Sequence, residues 1–209
     1  ILSLLYVFSG WGFLMYSNIF FIDTIILFPI VMHYLFKFFK NGKSLGLIIS
    51  LSYSLILNVY LSYMIYLFII FCSLFILIFL VDKHERKTKI IKLSFSFVFP
   101  LIISAFASWP TVVQIISSVR GVSERRDGYF YYFFLKFINL TMSSLLIALF
   151  SRGINKDVLK DRENWVLFIL LFITTVGVII EPINCMWHTG SYNSFPYRYS
   201  FISLFVIIC

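Results

Sequence analysis

Nine polar side chains set in or beside long apolar runs could do chemistry in this sequence: Asn18, Asp23, Asn58, Tyr60, Tyr63, Arg120, His188, Tyr197 and Arg198. A carboxylate such as Asp23 can take a proton or pair with a cation. A guanidinium such as Arg120 or Arg198 can bind a carboxylate or a phosphate, and the Asn, Tyr and His side chains can exchange hydrogen bonds. Their setting gives them weight, because an Asp or Arg at the centre of a membrane helix costs about 2.5–3.5 kcal/mol and marks either a site or a paired contact. Asp23 stands about one turn below Asn18 with no basic residue near it in its own run, so a partner from another segment, Arg120 or Arg198, is the ordinary alternative. Asn18 and Asn58 also suit helix caps and turns. The tyrosines also suit an interfacial aromatic belt. His188 alone is a weak signal, and Glu181, at the end of another apolar run, belongs with this group by position.

The elements that must position these residues follow from composition. Hydrophobic residues make up 61% of the chain and charged residues 12%, which places it outside the range of soluble domains and makes the bilayer its solvent. The expected fold is all-α, a polytopic transmembrane bundle of about eight spans. They run Ile1 to Tyr16, Phe20 to Phe39, Leu45 to Asn58, Tyr63 to Val81, Leu93 to Val119, Tyr131 to Phe150, Trp165 to Ile180, and Tyr199 onward. The connections at Asp82 to Lys92, Val119 to Phe130 and Ser151 to Asn164 read as charged loops. The connection from Glu181 to Tyr197 differs, being rich in His, Asn, Gly, Ser, Pro and aromatics and free of Lys.

Lys and Arg accumulate in short cytoplasmic loops. Alternate connections here collect Lys37, Lys40 and Lys43, then Lys83, Arg86, Lys87, Lys89 and Lys92, then Arg152, Lys156, Lys160 and Arg162, and that side reads as the cytoplasm. The nine polar residues then fall on the outer side, and His33 and His84 on or near the inner one. The net charge of +8 is a topology signal, so no nucleic-acid partner is called for.

Several classes of chemistry lack their signatures. A Gly-rich phosphate loop, a nucleophile elbow and zinc motifs are absent. Cys72, Cys185 and Cys209 are too widely spaced for a disulfide framework or a metal site. The Asn139-Leu140-Thr141 sequon lies within an expected span. Because the chain opens on an apolar run, and only about half a hydrocarbon core follows Arg198, the expectation is one transmembrane region, residues 1–209, cut from a longer protein.

The segments LYVFSGW (Leu5 to Trp11), NIFFIDTIILFP (Asn18 to Pro29), NVYLSYMIY (Asn58 to Tyr66), PTVVQ (Pro110 to Gln114) and FPYRYSF (Phe195 to Phe201) occur in order. They look like successive signatures of the bacterial YfhO membrane protein family, and FPYRYSF preceded by Trp187-His188 is the most specific piece. The resemblance implies a GT-C-like glycosyltransferase of the bacterial cell membrane. Such an enzyme takes a sugar from a polyprenyl-phosphate carrier and adds it, on the extracytoplasmic face, to a cell-surface glycopolymer such as teichoic or lipoteichoic acid. The family's main catalytic carboxylate would lie upstream of Ile1 and a soluble region downstream. Here Asp23 would orient an Arg or approach the sugar, and Arg120 and Arg198 would hold the carrier phosphate. Tyr60, Tyr63 and Tyr197, with Asn18, Asn58 and His188, would contact the substrate. A divalent metal ion is left open.

A transporter or flippase of lipid-linked sugars is the alternative. It calls for an internal repeat and polar groups at the midplane, and the sequence has neither. A non-catalytic scaffold is the third reading, favoured only by a full sequence without an acidic residue in its first outer loop.

Overall fold

The computed structural model describes Tyr6 and residues 19–117, 162–188 and 200–208. All described elements are helices: α1 (Ile19–Asn41), α2 (Leu45–Leu57), α3 (Val59–Phe79), α4 (Lys83–Ile103), α5 (Ala105–Ser117), α6 (Arg162–Ile179), α7 (Glu181–Trp187) and α8 (Ser200–Ile208). They divide between two compact units, one formed by residues 18–118 and the other by residues 1–17 with 119–209. The expected spans Ile1 to Tyr16, apart from Tyr6, and Tyr131 to Phe150 lie outside the described residues.

In the first unit, α1 packs on α2 and α3, and α2 packs on α4 and α5. Two glycines shape the junction of α1 and α2, Gly42 in the turn and Gly46 at the start of α2. Gly42 adopts φ 68°, and its N–H donates to the Phe38 carbonyl at 2.7 Å, closing the helix end as a left-handed cap. At Gly46 a Cβ would run into the ring of Tyr34, so only glycine lets α2 lie this close to α1. The Lys37 ammonium sits 5.7 Å from the centre of that same ring.

α3 carries 21 residues, about 31 Å at 1.5 Å each, and is long and apolar enough to cross a membrane by itself. Its inner face carries Leu61, Met64, Ile65, Phe68, Cys72 and Ile76, at the spacing of one helix face. α2 is different. Its 13 residues make about 20 Å, short of a hydrocarbon core of about 30 Å, so the expected span from Leu45 to Asn58 is a short apolar helix.

Two further expectations change. The charged segment from Asp82 to Lys92 is helical from Lys83 onward, with Glu85 and Lys89 paired at 2.8 Å one turn apart. The expected single span from Leu93 to Val119 is broken at Ser104 into α4 and α5, which meet at 77°. Pro100 has no N–H to donate to the Ser96 carbonyl, which weakens the helix in the turn before the break. The Ser104 backbone N–H and hydroxyl both donate to the Pro100 carbonyl, at 2.9 and 2.8 Å, and cap the broken end.

In the second unit α6 packs on α7 and α8, with Val166, Leu170 and Thr174 buried at four-residue intervals. The rings of Tyr6 and Phe205 meet edge to face at 5.9 Å. The connection after Ile180, expected as a loop, opens with α7, set at 101° to α6. Pro182 in its first turn suits a helix start, where the missing N–H would have no partner. If each bent pair is one span, up to three of the described elements cross a membrane.

Candidate functional site

Side-chain contacts fix the register of the first unit. Phe28 of α1 meets Phe68 of α3 edge on at 5.6 Å. Five residues back along each helix stand Asp23 and Tyr63. A second route runs through α2: Tyr34 lies against Gly46, and the Ser54 and Ser62 hydroxyls are 2.6 Å apart across Asn58. It leads from Asp23 to the first turn of α3 as well, so the two agree to about one helical turn, ~5 Å. Asp23, exposed on α1, therefore stands level with Asn58, Tyr60 and Tyr63, all three half-buried.

Asn58 does the structural work that its residue type allows. Its extended backbone ends α2, and its side-chain oxygen accepts the Leu61 N–H at 3.1 Å, capping α3. Among the described residues Asp23 makes no ion pair. Its expected partners, Arg120 and Arg198, lie outside the described residues, as do Asn18 and Tyr197.

The opposite end of this unit is basic. The Lys92 ammonium lies beside Gly42, 4.0 Å from where a Cβ would stand, so the turn with Lys40 and Lys43 and the charged first turns of α4 come together. Arg86 ties α4 to the end of α3, its guanidinium donating to the Ile78 carbonyl at 2.8 Å and the Val81 carbonyl at 2.9 Å. Every Lys and Arg of residues 18–118 belongs to this end.

The second unit holds a buried polar row. Glu181, Asn184 and His188 recur at the spacing of one helix face along α7 and its cap, and they are 6%, 0% and 0% exposed. The Cys185 thiol donates to the Glu181 carboxylate at 3.8 Å. The Trp187 indole is buried beside them. His188 is a candidate from the sequence; Asn184 is not, because an Asn in a polar connection gives no sign there of its burial. Among the described residues no group of three or more His, Cys, Asp or Glu could hold a metal ion.

A family model described as Bacterial membrane protein YfhO matches residues 1–209, the whole chain. The chain belongs to that family. As a YfhO family member it is a membrane protein, in keeping with the length and apolar surface of α3. No match was found among curated proteins or among solved structures.

Proposed function

We propose that this YfhO family protein works as a GT-C-type glycosyltransferase on the extracytoplasmic face of the bacterial cell membrane. It takes a sugar from a polyprenyl-phosphate carrier and passes it to a cell-surface glycopolymer of the teichoic or lipoteichoic acid kind. The supporting observation is the polarity of the first unit, in which the cations occupy one end and Asp23, Asn58, Tyr60 and Tyr63 the level of the other. Under the rule that Lys and Arg stay inside, the second end faces out, where a flipped lipid-linked sugar would be presented.

The chemistry asks for few groups. The acceptor hydroxyl oxygen attacks the anomeric carbon and gives its proton to a carboxylate base. The bond from that carbon to the phosphate oxygen breaks, and its electron pair leaves on the polyprenyl phosphate, with inversion. The leaving phosphate needs cations, for which the planar guanidinium of Arg120 or Arg198 is suited. In this reading Tyr60, Tyr63, Tyr197, Asn18, Asn58 and His188 line the sugar and carrier path, and Asp23 orients an arginine or the sugar.

The test is sugar transfer from a polyprenyl-phosphate sugar to a teichoic acid acceptor by the full-length protein in proteoliposomes. Arg198→Lys should cut transfer by about tenfold or more while insertion stays normal, because an ammonium cannot reproduce the bidentate fork. Wild-type rates in that variant would make Arg198 an interfacial anchor. No transfer by the unmodified protein with any donor of this class would refute the enzyme reading itself.

A further inference from the structure

Asn184 presents a problem that its surroundings do not solve. Its side chain is wholly buried, and neither its carboxamide oxygen nor its nitrogen has a hydrogen-bond partner among the described residues. Buried polar groups in native proteins are almost always paired, so an orphaned one calls for a ligand or water. On α8, which packs on the same helix α6 as α7 does, the Ser200 and Ser203 hydroxyls are also buried and also lack partners there.

The chemistry of these groups selects among ligands. A carboxamide offers two donors and an acceptor, and a serine hydroxyl offers both kinds. A phosphate only accepts, so it would leave the Asn184 oxygen unanswered and would face the Glu181 carboxylate on the same side of α7. A sugar hydroxyl both donates and accepts, and it welcomes a neighbouring carboxylate as a further acceptor.

We infer that Asn184, between Glu181 and His188 on the buried face of α7, binds the hydroxyl groups of a sugar, and so reads the sugar of the donor while leaving its phosphate to other residues. The inference rests on the glycosyltransferase reading and gives that site a part that tells one donor lipid from another. Asn184 is a specificity residue here, because a site built to hydrogen-bond a hydroxyl rejects the analogue that lacks it.

The experiment measures binding to the full-length protein in nanodiscs. The probes are bare polyprenyl phosphate and the same lipid carrying glucose, galactose or N-acetylglucosamine. The wild-type protein should bind at least one sugar-bearing lipid more tightly than the bare one. Asn184→Leu should weaken that lipid by about tenfold or more and leave bare polyprenyl phosphate unchanged. Asn184→Asp, which keeps the size and removes the donors, gives a second reading should the leucine variant fail to fold, with the same selective loss expected. If the wild-type protein prefers a sugar-bearing lipid and both variants keep that preference, Asn184 is satisfied by structural water and the inference fails while the enzyme reading stands. If the wild-type protein binds bare and sugar-bearing lipids alike, the sugar site is overturned and carrier binding survives. Binding of none of the probes overturns both.

Discussion

Ser54 and Ser62 hold their hydroxyls 2.6 Å apart across Asn58, the single residue between α2 and α3. Along one straight helix, positions eight residues apart are separated by about 12 Å, so this contact requires the chain to fold back sharply at Asn58. The pair is fully enclosed, and a hydrogen bond between membrane helices contributes about 0.6 kcal/mol on average. Ser62→Ala should therefore lower stability by under about 1 kcal/mol, whereas Ser54→Leu, which drives the helices apart, should cost about 1–3 kcal/mol. Thermal unfolding in detergent measures both, and a neutral leucine variant would remove the close approach.

Gly46 makes a second such approach. Gly46→Ala should destabilise by about 1–3 kcal/mol, since the new Cβ meets the Tyr34 ring near its root. Combining it with Tyr34→Ala should recover part of the loss, and strict additivity of the two changes would show that they do not touch.

Arg86→Ala should loosen the junction of α3 and α4, because the Ile78 carbonyl in the last turn of α3 and the Val81 carbonyl just beyond it lose their guanidinium donors. The loss, about 1 kcal/mol for a partly exposed clip, should be read as faster proteolysis after Leu80. Arg86→Lys should not restore it, since one ammonium does not match the fork.

The orientation has a direct check. In a background with Cys72, Cys185 and Cys209 replaced, an impermeant thiol reagent outside the cell should label Ser191→Cys and leave Lys87→Cys untouched. The reverse pattern would move every candidate residue to the cytoplasmic side.

The apolar lengths and the lysine clusters made α1, α3, α6 and α8 legible from the chain alone, to within a few residues. The breaks were not. Leu93 to Val119 reads as one uninterrupted apolar run, and Pro100 signals at most a kink. The 77° turn falls at Ser104, whose hydroxyl donates to the Pro100 carbonyl, a local arrangement with no periodic signature. The dense charges after Asp82 suggest a loop, yet pairing one turn apart, as between Glu85 and Lys89, suits an exposed helix equally well. At the site, Asn58 and Tyr63 could be named because they stand at ends of apolar runs. Asn184 could not, because an Asn in a polar connection shows its cost only once burial is known.

The meeting of Lys92 with the Gly42 turn has a consequence for the lipid around the protein. It brings Lys40, Lys43 and the basic face of α4 to one rim, with Asp82 and Glu85 as the acidic residues among them. Such a rim repels itself unless counterions gather, and acidic phospholipid headgroups supply them at about 1 kcal/mol per basic side chain near the surface. The protein should thus carry an annulus of anionic lipid on that leaflet. Its melting temperature in a neutral detergent should rise on adding phosphatidylglycerol but not phosphatidylcholine, and the gain should fade as ionic strength increases.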